Sequence, residues 1–412
     1  MNNVKLGEIS TVQRGLTFSK KDTVDYSKNI VLRATNIDLE TGKLNFNELK
    51  YLKDDFVYDH KYRVEKSSIL ICFSSGSKSH LGKVALVTDD IEMAYGGFIG
   101  KITPKETVDP KYLFYNLRSE DYVKYIGRLT DGANINNLKM ADLLNYSLRF
   151  PSLPKQKQIV ENLDKAFEKI NKAIANVERN IQNAEELFQS KLEQIFSETD
   201  GSSDISWKYL TFDNLVSSTQ IGIVRNTKEQ SVDFPVRYFK MNNIKNNNGI
   251  DDSKYTSINA TENEIRKYSL KNGDFLFNTR NSYELVGKTC VFRSSYNGPI
   301  VFNNNILRAR FKDFVNSDFV AYAFCTEKVK IKLNSIKNGT TSVVGIYYKS
   351  LKDLKIPIPP LSEQKKIVES LDNLNNHVQS IIMKYKKELI NLEELKKSIL
   401  EKAFKGELTS AA

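Results

Sequence analysis

Cysteine is scarce in this 412-residue chain: Cys72, Cys290 and Cys325 are too scattered for a disulfide framework or a zinc spacing. Each sits in an apolar run, which suits a buried thiol. His60, His80 and His377 cluster neither with one another nor with the cysteines, so no metal site is expected. No apolar run approaches the length that crosses a bilayer, and Met1-Asn-Asn-Val-Lys-Leu-Gly-Glu8 lacks a signal-peptide core. A cytoplasmic protein with no membrane partner is expected. Catalytic signatures are missing as well. An adenine methyltransferase needs Asn/Asp-Pro-Pro-Tyr/Phe to hold the target amine, and Ile358-Pro-Pro-Leu361 is no substitute. There is no Gly-x-x-x-x-Gly-Lys-Ser/Thr phosphate loop. Tyr95-Gly-Gly-Phe-Ile-Gly100 lacks dinucleotide spacing and reads as a β-turn. These absences argue against a chain that performs methyl transfer or nuclease chemistry itself.

What is present is a repeat. Pro151-Ser-Leu-Pro-Lys-Gln-Lys-Gln-Ile-Val-Glu-Asn-Leu-Asp164 returns as Pro359-Pro-Leu-Ser-Glu-Gln-Lys-Lys-Ile-Val-Glu-Ser-Leu-Asp372. The offset of 208 also pairs Glu186 with Glu394, Leu192 with Leu400 and Phe196 with Phe404, without a gap. A duplication of this kind constrains the architecture before any single element does.

The net charge of +11 is unevenly placed. The stretches 155–198 and 363–408 together are neutral, whereas residues 1–154 carry +3 and 199–362 carry +8. Such a distribution suits two blocks that approach a polyanion and two helices that do not.

Residues 1–150 read as a mixed α/β block. Ile30-Val-Leu-Arg-Ala34, Ser68-Ile-Leu-Ile-Cys-Phe73, Lys83-Val-Ala-Leu-Val87 and Gly97-Phe-Ile-Gly-Lys-Ile102 read as strands. Turns are expected at Thr41-Gly42, Ser75-Gly76 and Asp131-Gly132. One helix is expected from Pro110 to Tyr125 on the spacing of Tyr112, Leu113, Leu117 and Val123. Residues 201–358 repeat the block loosely: Lys240-Met-Asn-Asn-Ile244 aligns with Arg33-Ala-Thr-Asn-Ile37, Gly287 with Gly82 and Gly339 with Gly132.

Between and after the blocks the period becomes that of a coiled coil. Val160, Leu163, Phe167, Ile170, Ile174, Val177, Ile181 and Phe188 form one seam; Val368, Leu371, Val378, Ile382, Leu389, Leu392 and Ile399 form the other. Ser362 suits an N-cap and Gly406 a stop. Two such helices bury both seams most simply against each other. The expected fold class is therefore α+β: two similar mixed α/β domains, 1–150 and 201–358, joined by two long antiparallel helices, 151–200 and 359–412. These helices form an intramolecular coiled coil with pseudo-two-fold duplication.

The Pro-Pro-Leu-x-Glu-Gln-like helix starts, Pro359 to Gln364 and in degenerate form Pro151 to Gln156, together with the duplicated blocks resemble the specificity subunit of type I restriction-modification systems. Pro154-Lys155 departs from that pattern at a helix start only. The resemblance implies a non-catalytic reader of double-stranded DNA with no cofactor in this chain. Each recognition domain would read one half of a bipartite target, with the helices as a ruler. Two modification subunits would dock there, carrying S-adenosylmethionine; ATP-dependent restriction subunits would join them.

Both blocks place a polar loop after an apolar strand. In the first block, Ser74, Ser75, Ser77, Lys78, Ser79, His80 and Lys83 are candidates for DNA contact; in the second, Asn278, Thr279, Arg280, Asn281, Ser282, Tyr283 and Lys288. Arg reads guanine, Asn reads adenine, and Ser, Thr and Lys contact phosphate, so Arg280 and Asn281 lead this set. A second set follows the helix of each block: Arg128 and Asn134, then Lys337, Asn338, Thr340 and Thr341. The third comprises Arg33, Thr35 and Asn36 with Lys240, Asn242 and Asn243. Charge and repeat alone also permit a structural scaffold, a helical hairpin spacing two domains that bind something other than DNA.

Overall fold

The computed structural model describes residues 3–130, 137–197, 207–245, 248–339 and 343–407. Contacts group them into two compact units, Met1–Glu178 with Lys386–Ala412, and Arg179–Tyr385. Each unit thus combines one α/β block with parts of both long helices.

In the first unit an antiparallel sheet runs in the order Ser10–Arg14, Ile99–Pro104, Ile69–Cys72, Val84–Leu86. Ile69-Leu-Ile-Cys72 is apolar throughout because both of its faces are covered. Ile69 and Ile71 enter the core shared with the helices, while Leu70 and Cys72 enter a second core behind the sheet. A five-stranded sheet adjoins it, with Asn29–Leu32 parallel to Ile91–Tyr95. The block closes on itself where Asn3–Lys5 pairs with Ser147–Arg149.

The second unit repeats this plan. Its antiparallel sheet runs Val216–Ile221, Ile306–Phe311, Phe275–Asn278, Thr289–Val291. Phe275 and Phe277 face the helix-bearing core and Leu276 the other. Val236–Phe239 lies parallel to Ile300–Phe302, and Lys208–Thr211 closes the block on Lys355–Ile358.

Two details correct the reading of the sequence. The helix expected over 110–125 is two helices, Pro110–Asn116 and Glu120–Thr130. The chain turns at Leu117–Ser119, where the Ser119 hydroxyl donates to Asn116 O at 2.7 Å. That turn brings Tyr122 and Ile126 into the core and leaves Val123 exposed. Ser362 is not the cap: the second long helix starts at Leu361, and Pro360 O already accepts the Gln364 N–H at 3.1 Å.

Both long helices have 45 residues, Leu153–Ser197 and Leu361–Lys405, or about 67 Å at 1.5 Å per residue. They pack antiparallel. In the first unit Val160, Leu163 and Phe167 share a core with Ile399, Leu400, Ala403 and Phe404. In the second, Phe188, Leu192 and Phe196 share one with Ile367, Val368 and Leu371. Every predicted seam residue is buried or half-buried. Ile159, Leu192, Phe196, Ile367 and Ala403 complete the packing and were not part of the predicted seam. They belong to cores that join an α/β block to both helices, a demand that heptad spacing does not express. Gly406, at φ +79°, ends the second helix as expected.

Candidate nucleic-acid interface

In the second unit the three candidate sets meet on one face. Arg280–Asn281 forms a short strand paired with Val344–Gly345, which pairs in turn with Asn338–Gly339. The first and second loops are therefore one small sheet. Asn281 and Lys288 also line an open cleft of about 490 Å³ whose other wall carries Asn242, Lys245 and Lys254, which brings in the third set.

Two cations on this face, exposed Arg280 and half-buried Lys337, are steered by aromatic rings. The Arg280 guanidinium lies 5.4 Å from the centre of the Tyr347 ring. Lys337 sits 4.1 Å from the Tyr283 ring centre and donates to Tyr283 O at 2.6 Å. Partial burial holds the Lys337 ammonium somewhat below its ordinary range. Tyr283 and Tyr347 remain about half exposed, at 51% and 47%. A planar cation held over a ring is pre-oriented for a bidentate acceptor pair such as guanine O6 and N7.

Several predicted contact residues support the face instead of forming it. Asn36 and Asn243 are fully buried. Asn36 accepts the Arg33 N–H at 2.8 Å and donates to Asn45 O; Asn243 accepts the Lys240 N–H at 2.8 Å and donates to Asp251 O. Each amide thus closes a turn. Asn278 is also fully buried, donating to Arg280 O and Asn305 O, and Thr279 is 5% exposed. Lys83 and Lys288 tie the loop to that turn, donating to Ile37 O at 2.7 Å and Ile244 O at 2.6 Å. Burial lowers the pKa of both. Their polar character is consumed internally, and the sequence alone does not separate an amide that caps a turn from one that reads a base.

The first unit has the same plan with different residues. Ser74 forms a β-bridge with Asn137, and its hydroxyl bonds the Asn137 side chain. Ser75 is half-buried, whereas Ser77, Lys78, Ser79 and His80 are exposed, the last three on a 3₁₀ turn. Arg128 and Thr35 are exposed too, and Arg33 donates to Glu48 O at 3.1 Å. Exposed Phe98 was not predicted; its carbonyl accepts the N–H groups of Phe73 and Ser74. Asn305 takes the equivalent place in the second unit, accepting the Thr279 N–H at 2.8 Å. In that unit Lys240 donates to Gln230 Oε1 at 3.0 Å, while Asn242, Ser282 and Asn338 retain accessible surface. Asn134, Thr340 and Thr341 lie outside the described residues.

Gly15 and Gly222 were also missed. A Cβ on Gly15 would stand 2.4 Å from Gly96 O, and one on Gly222 would stand 2.2 Å from Phe302 O. These glycines let the two sheets of each block approach. Their offset of 207 was a signal available in the sequence. Among the described residues, no group of three or more His, Cys, Asp or Glu could hold a metal ion, and no helix is long and apolar enough to cross a membrane.

A family model described as the type I restriction modification DNA specificity domain matches residues 1–179 and 221–392. The chain belongs to this family. It is a DNA specificity subunit of a type I restriction-modification system. Specificity subunits are non-catalytic and carry no cofactor; S-adenosylmethionine and ATP sit on the modification and restriction subunits. The specificity subunit of the EcoKI enzyme of Escherichia coli K12 is 26% identical, covering 98% of this chain and 88% of that one. That of the StySPI enzyme of Salmonella potsdam is 28% identical over the same shares. Among solved structures, one from a study of assembly and conformational transition of the type I system aligns with a TM-score of 0.75. It is 18% identical, and the match covers 99% of this chain and 98% of that one. The HsdS subunit of Thermoanaerobacter tengcongensis aligns at 0.53, also 18% identical, covering 99% and 97%. The fold is that of these specificity subunits, and membership of the family places this subunit in a complex with partner subunits.

Proposed function

We propose that the subunit reads a bipartite duplex target, one half-site per recognition domain, with domains 1–150 and 201–358 as readers and 151–200 and 359–412 as spacer helices. The helices fix the gap and dock two modification subunits, outside which restriction subunits join, in the cytoplasm. Arg280, Asn281, Asn242, Lys337 and Asn338 read or position the second half-site. Ser74, Lys78, His80, Arg128 and Phe98 serve the first. The observation that carries this reading is the convergence of three loops, separate in sequence, on one face of the second unit, with the same strand positions reused in the first. A structural scaffold would have no reason to repeat the loop junction while changing the residues in it.

The test has two parts. Genome-wide mapping of methylated adenine with and without the gene should show one bipartite motif lost. Duplex binding by the assembled modification complex should fall steeply between low and physiological salt, as phosphate neutralisation requires. Salt-insensitive binding, or an unchanged methylation map, overturns the proposal.

A further inference from the structure

We infer that Gln156 and Gln364 are positioning residues that determine how strictly the subunit discriminates the gap between half-sites. This rests on the bipartite reading above.

Each glutamine lies in the first turn of a long helix and is fully buried. Gln156 Oε1 accepts the Asp109 N–H at 2.8 Å, and its Nε2 donates to Pro151 O at 2.9 Å and Thr107 O at 3.2 Å. Gln364 repeats this, with Asn316 N–H at 2.8 Å, Pro359 O at 2.8 Å and Phe314 O at 2.9 Å. Asp109 and Asn316 are the N-caps of Pro110–Asn116 and Ser317–Phe324. One amide therefore joins the helix entrance to the capped turn of the adjoining block. Only an amide offers an acceptor and two donors here; a carboxylate would face two carbonyl oxygens.

A second attachment lies eight positions further on, about 12 Å along the helix. Asp164 accepts from the Tyr115 hydroxyl at 2.6 Å and Lys111 Nζ at 2.6 Å. Asp372 accepts from the Tyr322 hydroxyl at 2.5 Å. Two attachments along one axis fix a direction, because the block cannot pivot about either alone. Phe324 of the stapled helix packs on Phe275 and Phe277, in the strand that runs into Asn278 and the Arg280 loop. A tilt at the joint is thereby carried to the reading face. Simple stabilisation needs any buried packing, whereas the glutamine joints repeat atom for atom between blocks whose reading residues differ.

The experiment uses the subunit assembled with its modification partners. Methylation is measured on duplexes carrying the native gap and gaps one base pair shorter or longer. Gln364→Leu should lower the preference for the native gap by about tenfold, the scale of one or two buried hydrogen bonds, with base preference in each half-site retained. Leu52→Ala, a truncation in a core that contains no residue of the long helices or of Pro110–Asn116, should lower the Tm and leave gap preference as in the wild type. Gap preference in Gln364→Leu equal to wild type overturns the inference. Should that variant not assemble, Tyr322→Phe removes a single hydroxyl bond and must loosen gap preference in the same direction, or the inference falls. If the wild-type complex methylates no bipartite duplex, it is the underlying reading that fails.

Discussion

Phe404 meets Tyr112 edge-on, with ring centroids 5.3 Å apart and planes at 60°, and Phe196 meets Phe319 at 5.2 Å. Phe404 ends the helix that follows the second block, yet it packs on the first; Phe196 ends the helix that follows the first, yet it packs on the second. Each block is thus held by the start of its own helix and the end of the other. The reciprocity shows that the duplication extends to packing as well as to sequence.

Phe196 is 5% exposed and also touches Trp207, at 6.0 Å between centroids. Phe196→Ala should cost about 3 kcal/mol, the lower end for a buried phenylalanine. Thermal denaturation checks this; a Tm unchanged from wild type would mean that the helix end is not held.

Asn242 and Asn243 are neighbours with opposite environments, one exposed and one fully buried. Asn243→Ala should lower stability by about 1–3 kcal/mol, because the Lys240 N–H and Asp251 O lose a partner. Asn242→Ala should leave the Tm unchanged and weaken duplex binding. Denaturation and binding measured on both variants decide the assignment.

Arg280→Ala should relax base preference at one or two positions of a single half-site, by about 1–3 kcal/mol. Methylation of target variants by the assembled complex reads this out. Equal loss in both half-sites would contradict the place given to Arg280.

Arg225 donates to Glu264 at 2.7 Å, and with the Thr261 N–H it holds the Glu264 carboxyl below the usual range. The folded value lies under the unfolded one of about 4.3, so the contribution is fully present above that pH and lost as pH falls through the folded value. Glu264→Gln should therefore lower the Tm at neutral pH by a margin that shrinks on acidification to about pH 3. A margin independent of pH would show that the charge adds nothing.

Both seams were legible in the sequence because heptad spacing is local, and the central strands because the unbroken apolar runs Ile69–Cys72 and Phe275–Phe277 need cover on both faces. The Arg280 loop was legible as a polar insertion between strands. Its joining to Asn338 was not, since fifty-odd residues and two helices intervene. The same holds for Phe98, whose exposure depends on a turn against Phe73 and Ser74.

The repeat, its 208-residue period, the helix pair and the charge borne by the blocks were determined by the sequence by itself, because each is a matter of residue type and spacing along the chain. Only the tertiary structure decided which polar residues are spent inside. Asn36, Asn243, Gln156 and Gln364 satisfy backbone groups that burial would otherwise leave unpaired. Arg280 and Asn242 keep their accessible surface. That division depends on which backbone groups come together across the fold, which spacing along a chain does not encode.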